Sequence, residues 1–265
     1  SGGKNNMISD ALAIVLYTST KGHFGYKDCY KHTVERMIEE IPFFADYEKV
    51  AHIKYSLEDG EKQLIEMKDF LEKRGFEVLI SQGDWSHNKG SHAKEYYKDM
   101  FTALSSEKIR KRRFTLVCED DWLLDFKGKW PVAVSKALQF LDKDKDRLCV
   151  RINHDIHKDV SKADEVVDGL IHQQNTDYTP WGPTFTFQPT IVKSSEWFNS
   201  VRFINRNLDA LEKVHCEIIS GEILSMFSDS KTPFCFFNPE KVNAEHIGEI
   251  EKVKKYESLD NPAAL

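Results

Sequence analysis

Four short apolar runs, separated by amphipathic stretches, set the rhythm of the first half of the chain. Ala11–Tyr17 (ALAIVLY) is apolar without interruption, the pattern of a strand buried on both faces of a parallel sheet. Lys49–Tyr55, Phe76–Ile80 and Phe114–Cys118 are three more runs of strand length. The stretches between them change period. After Asp28, a natural N-cap, apolar side chains fall at Tyr30, Val34, Met37, Ile38 and Ile41 before Pro42 stops the helix. Glu61–Arg74 carries Leu64, Met67 and Leu71 on one face and ends at Gly75. From Ser91 a third helix places Ala93, Tyr96, Tyr97, Met100 and Leu104 at helical spacing.

This β-α-β-α-β-α-β alternation predicts an α/β fold with a mostly parallel central sheet flanked by helices and joined by right-handed crossovers. The second half is less regular. Val132–Leu141 reads as a helix and Leu148–Ile152 as a fifth strand, and Asn153–Asp177 is polar and loop-like. Thr184–Val192 alternates like a strand after Pro180-Trp181-Gly182-Pro183. Helices are expected over Asn207–Val214 and Glu217–Phe227, and a charged tail from Glu251. With 265 residues and 40% apolar content, one large domain is expected.

Composition narrows the function classes. A net charge of −6 argues against a nucleic-acid binder, which normally presents a basic face. The five cysteines are odd in number and scattered without metal-ligand spacing, as buried thiols of a reducing, cytoplasmic compartment would be. No apolar run reaches membrane-spanning length. Ser1-Gly2-Gly3 reads as a tag remnant, with residues 1–10 a disordered start.

The chemistry concentrates where strands end. Phe114–Cys118 runs into Glu119-Asp120-Asp121, three adjacent carboxylates whose mutual repulsion a hard divalent cation would relieve. The alternative is a solvated acidic turn. Thr18-Ser19-Thr20-Lys21-Gly22-His23, after the first strand, supplies N–H groups and hydroxyls suited to a phosphate, although neither GxxxxGK[ST] nor GxGxxG is present. Ahead of the third helix, Ser91 can act as a cap, leaving helix N–H groups, Lys89 and Lys94 facing an anion; an ordinary cap under a solvated loop is the plainer reading. All three loops fall on one edge of the sheet.

A strand ending in a polar loop, Asn88-Lys89-Gly90 leading into the third helix, and Glu119-Asp120-Asp121 closing the fourth strand together resemble a GT-A glycosyltransferase of the family 2 type. Residues 11–125 follow that order, and the usual Asp-x-Asp is written Glu-Asp-Asp here. The resemblance implies one GT-A-like domain, with 11–125 the nucleotide-sugar half and 126–250 the acceptor half. It implies a Mn²⁺ or Mg²⁺ ion on the donor diphosphate, held by Asp121 with help from Glu119. Thr18, Ser19, Thr20, Asn88, Lys89, Lys94, Glu119 and Asp120 would bind the nucleotide. Trp181, Phe185 and Gln188 lie in an aromatic stretch suited to stacking on a sugar, although core packing would explain such rings equally. Ile219, Ile223, Met226 and Phe227 share one helical face and Glu217 projects opposite, resembling the acid that deprotonates the acceptor in inverting enzymes; Glu222 is the second candidate. His246 resembles the late histidine that completes the metal shell.

The resemblance therefore implies transfer of a sugar from a nucleotide diphosphate to a hydroxyl acceptor, with inversion. Two other readings stay open. Asn153-His154-Asp155-Ile156-His157 contains an HDxH cluster that suits a metal-dependent phosphohydrolase, and a non-catalytic carbohydrate-binding domain could share the fold.

Overall fold

A computed structural model of the chain describes residues 8–83, 91–152, 165–167, 169–172, 188–207, 234–237 and 241–260. β1 (Leu12–Ser19), β2 (Lys49–Tyr55), β3 (Glu77–Gln82) and β4 (Phe114–Glu119) alternate with α1 (Cys29–Glu40), α2 (Gly60–Lys73) and α3 (Ser91–Leu104), as the periodicity requires. A single turn, α4 (Glu107–Arg110), precedes β4, and the short β5 (Trp122–Asp125) follows it. Then come α5 (Trp130–Lys143), β6 (Cys149–Arg151), β7 (Glu165–Val167), β8 (Leu170–His172), β9 (Thr190–Lys193) and α6 (Ser194–Arg206). The last described elements are β10 (Phe234–Phe237), β11 (Asn243–His246) and α7 (Ile250–Asp260).

The main sheet has nine strands in the order β3-β2-β1-β4-β9-β6-β10-β8-β7. β3, β2, β1 and β4 pair in parallel. β9 is antiparallel to both β4 and β6, and β8 is antiparallel to β10 and β7, so only these two strands oppose the common direction. A separate two-stranded ribbon pairs β11 with β5, His246 opposite Trp122.

Strand periodicity explains the layers. Leu12, Ile14 and Leu16 of β1 enter one apolar cluster with Tyr30, Val34 and Met37 of α1, Met67 and Leu71 of α2, and Trp130 and Val134 of α5. Ala13, Val15 and Tyr17 face the other way, onto Tyr96, Tyr97 and Met100 of α3 and Trp197, Val201 and Ile204 of α6. Each such aliphatic side chain taken from water contributes about 1.5–3 kcal/mol, so a strand buried on both faces tolerates little polarity.

The helices end by the expected signals, though not always by the expected contacts. Asp28 occupies the N-cap of α1 without a side-chain cap bond and pairs with Lys31 at 3.3 Å. Gly75, at φ 84°, closes α2 in the left-handed region that favours glycine. Two helices depart from the sequence reading. Ser194–Arg206 is rich in Ser, Asn and aromatics, which are modest helix formers; burial of Trp197, Val201 and Ile204 imposes the helix. Glu251 onward is not a free charged tail but part of α7, anchored by Val253 against Tyr26, Leu123 and Ile247. Cys29, Cys118, Cys149 and Cys235 are buried free thiols, and no described helix is long and apolar enough to cross a membrane. The helices expected over Asn207–Val214 and Glu217–Phe227 lie outside the described residues, apart from Asn207, which ends α6.

His52 on β2 is fully buried, with Nε2 3.4 Å from Asp99 Oδ1. Burial outweighs the attraction of Asp99, nearby Lys54 adds to it, and the pKa falls to about 4. The folded protein therefore keeps His52 neutral where the unfolded chain already takes a proton. Stability from this residue is present above pH about 6.5 and is lost as pH falls toward about 4. We expect the urea midpoint of the parent to drop over that window, and His52→Gln to flatten the drop. Equal slopes in the two proteins would remove His52 as the cause.

Candidate metal centre

The site is assembled at the carboxyl ends of β1 and β4, where an open α/β sheet leaves its crevice. β1 pairs with β4 so that Tyr17 lies opposite Glu119, which brings Thr18 beside the acidic turn. Alternation along β4 sends Cys118 to the α1 side and Val117 to the α3 side. Glu119 follows Val117 and accepts a hydrogen bond from Tyr96 Oη at 2.8 Å. The turn then carries Asp120 and Asp121 inward, and both are about 95% buried (6% and 5% exposed).

Asp120 is held on all sides. Its Oδ2 accepts the Thr18 hydroxyl at 2.7 Å, its Oδ1 pairs with His23 Nε2 at 2.7 Å, and its backbone carbonyl accepts the Thr33 hydroxyl at 2.7 Å. Asp121 Oδ2 pairs with His246 Nε2 at 2.8 Å and lies 3.7 Å from His23 Nδ1. Asp121 Oδ1 is buried with no hydrogen-bond partner among the described residues. A buried carboxylate oxygen without a partner costs on the order of 1–3 kcal/mol, and it is the atom a cation would satisfy. One ligand atom each from His23, Asp120 and Asp121 lies within 4.8 Å of the others, a span a single ion can bridge. Imidazole nitrogen together with carboxylate oxygen is a donor set that fits a divalent transition ion.

Local backbone geometry aims both histidines. His23 and Tyr26 exchange N–H···O bonds of 2.9 Å around Phe24-Gly25, whose φ angles are 50° and 84°. This is the turn type that suits a tight hairpin. A side chain at Gly22 would meet the Tyr26 carbonyl oxygen 2.2 Å from its Cβ. His246 ends β11, stacks on Trp122 at 4.6 Å and is followed by Ile247, whose N–H donates to the Asp121 carbonyl at 2.8 Å. Burial opposes protonation of both imidazoles, but the carboxylates outweigh it. His23 rises to about 10 through Asp120, with Asp121 and Glu119 adding, and His246 rises through Asp121 and Glu249. The carboxylates thus favour the protonated ring of His23, and a cation bound there would displace that proton, since only the neutral imidazole offers a lone pair. Burial, with Asp121, Glu119 and Asp120 beside it, raises the Cys118 thiol, which disfavours the thiolate.

The structure gathers Thr18, Asp120, Asp121 and His246 from the residues expected at the site. Thr20 is buried nearby; its Oγ1 accepts from Ser56 N–H at 2.9 Å and is 3.2 Å from Asp59 Oδ2. Ser19 Oγ accepts from Lys21 N–H. Lys94 lies in the first turn of α3. Gln188, just before β9, is buried and its Oε1 has no partner among the described residues. Glu119 points to the Tyr96 side, outside the His23–Asp120–Asp121 group. Asn88, Lys89, Trp181, Phe185, Glu217, Glu222 and the HDxH stretch lie outside the described residues. His23 closes the polar loop flagged after the first strand, but the sequence reading assigned it no role of its own. The glycine pair Gly22 and Gly25 around it was the available signal.

No family model matches the sequence, and no curated protein matches it. Among solved structures, GalNAc-T7 with UDP, GalNAc and Mn²⁺ superposes at TM-score 0.50 with 10% identity, over 89% of this chain and 44% of that one. The fold is GT-A-like. A 4-diphosphocytidyl-2C-methyl-D-erythritol synthase from Anaerococcus prevotii DSM 20548 matches at TM-score 0.45 and 13% identity, covering 96% of this chain and 98% of that one. The mannosyltransferase Ktr4p from S. cerevisiae matches at 0.45 and 12%, over 90% and 71%. At these identities the likeness concerns architecture alone.

Gly248 makes the closest approach to the site. A Cβ there would lie 2.1 Å from Asp121 Oδ2 and 3.0 Å from its Cβ and Cγ. Because Asp121 is enclosed, we expect Gly248→Ala to displace the carboxylate, break its bond to His246 and cost roughly 1–3 kcal/mol. Thermal melting with and without Mn²⁺ checks this. An unchanged melt and an unchanged metal response would show that the loop yields instead.

Proposed function

We propose that the chain is a metal-dependent glycosyltransferase that moves a sugar from a nucleotide diphosphate donor to a hydroxyl acceptor. The observation that carries this reading is the meeting of Asp120, Asp121, His23 and His246 at the crevice edge of the sheet, with Asp121 Oδ1 buried and unpartnered. The fold supports it, and one solved structure of similar fold, GalNAc-T7, contains UDP, GalNAc and Mn²⁺.

In this reading Asp121 and His246 hold the cation, Asp120 and His23 complete its surroundings, and residues 11–125 form the nucleotide half. The mixed nitrogen and oxygen set favours Mn²⁺ over Mg²⁺, which prefers oxygen ligands. When bound, the cation stabilises negative charge on the diphosphate leaving group. The Thr18–Thr20 loop, with Asn88, Lys89, Lys94 and Glu119, orients the nucleotide. Trp181, Phe185 and Gln188 line the sugar or acceptor side. Glu217 takes the acceptor proton as the acceptor oxygen attacks in line, which inverts the anomeric centre; Glu222 is the alternative base.

Asp121→Asn keeps the shape of the side chain and removes its charge. We expect UDP, GDP or dTDP with Mn²⁺ to raise the melting temperature of the parent, as ligand linkage demands, and the variant to lose that response. Retention of the full shift would exclude Asp121 as a metal ligand. Glu217→Gln should leave the nucleotide shift intact and lower kcat by roughly 10²–10⁴. If Glu222→Gln abolishes transfer while Glu217→Gln does not, the base is Glu222. A nucleotide shift without release of nucleoside diphosphate from any sugar donor would indicate a binding domain.

A further inference from the structure

The opposite edge of the same sheet has the opposite charge. Phe114 opens β4 and Lys193 closes the antiparallel β9 beside it, and between these ends and α4 and α6 lies a cavity of about 590 Å³. β4 has six residues, so this cavity sits about 20 Å from the acidic turn. In a chain of net charge −6, it is lined by six basic residues (Arg110, Lys111, Arg112, Arg113, Lys193 and Arg202) against two acidic ones, Asp142 and Glu196.

Two of these cations are paired with carboxylates, Arg113 with Asp142 and Lys111 with Glu107 at 3.5 Å. The other four are not neutralised. Lys193 Nζ donates to the Asp144 carbonyl at 2.9 Å, Arg112 Nε to the Ser9 carbonyl and Arg202 to Asn199 Oδ1 at 3.3 Å, and Arg110 and Arg202 approach the Phe198 ring at 5.3 and 5.7 Å from its centroid. Among the described residues none of the four forms a salt bridge with a carboxylate. Like charges gathered in a concave site over apolar walls, here Leu104, Ile109 and Leu141, focus a positive potential at some cost to stability. The guanidinium fork matches phosphate in a two-point geometry, and Phe198 limits the freedom of two such forks. The volume suits a small molecule.

We propose that this cavity is a second binding site, independent of the metal centre, for a ligand bearing clustered phosphate groups. Such groups could be free in solution or carried on a lipid headgroup. Arg110, Lys111, Arg113 and Arg202 stand exposed around the cavity, so both sources can reach them and the two are separated by experiment.

The test is calorimetric titration of sodium tripolyphosphate into the full chain at low salt with EDTA present, so that no divalent ion serves the acidic end. One saturable site is expected. Arg110 and Arg202 are exposed, so the double variant Arg110→Glu/Arg202→Glu should fold, which its melting curve verifies. It should bind at least about tenfold more weakly, since two guanidinium groups that attract phosphate become carboxylates that repel it. Asp121→Asn should bind as the parent does. Absence of saturable binding overturns the proposal. So does an equal loss in Lys62→Glu/Lys68→Glu, which makes the same charge change on α2. Co-sedimentation with phosphatidylcholine vesicles, with and without a polyphosphoinositide, then separates the sources. Pelleting that is lost in the double variant assigns the site to a headgroup; tripolyphosphate binding without pelleting assigns it to a soluble ligand.

Discussion

Two adjacent carboxylates, Asp120 and Asp121, are carried into the interior at the end of a buried strand, and much of the surrounding structure follows from that. A charge taken out of water is costly unless it is paired and hydrogen-bonded. The chain meets the requirement from three separate segments, Thr18 at the end of β1, His23 in the hairpin turn and His246 on β11, while Thr33 on α1 donates to the backbone carbonyl of Asp120. None of these could move far without leaving a buried polar group of the acidic turn unsatisfied. The acidic turn therefore fixes the positions of β1, α1 and the β5–β11 ribbon relative to β4.

Among the described residues, satisfaction is nearly complete but stops at Asp121 Oδ1. A stable fold would be expected to close that last vertex with a hydroxyl or an amide, as it does for Asp120. Leaving it open, inside a ring of nitrogen and oxygen donors held by packing, suits a ligand that arrives later. Pre-organisation of this kind reduces what must be rearranged on binding. Gly248 serves the same end, because any side chain there would occupy the space of the Asp121 carboxylate.

Along β4 the chain passes from Arg112-Arg113 to Glu119-Asp120-Asp121, so the sheet carries a basic edge and an acidic edge. The two ends lie beyond a Debye length of one another at physiological ionic strength. The two sites proposed at these ends can therefore be treated as independent, and a change at one end need not alter the other electrostatically.

The local elements of the first half were legible because their signals are local. Alternation of strand and helix periods between residues 11 and 119 determined β1 to β4, the crossover helices, and hence a parallel sheet with acids at its ligand-binding edge. Thr18, Asp120, Asp121 and His246 were nameable from strand ends and motif order. Other features were decided only by tertiary structure. α6 forms from weak helix formers because Trp197, Val201 and Ile204 gain burial against α3, and β5, β10 and β11 are too short to announce themselves by period. Glu119 turns toward Tyr96 because the two-residue period of β4 sends it to the α3 face, while the residues after it leave the strand. His23 meets Asp120 across 97 positions and His246 meets Asp121 across 125. No periodicity encodes contacts at such separations. They arise when the sheet closes and the buried carboxylates take the donors that packing brings within reach.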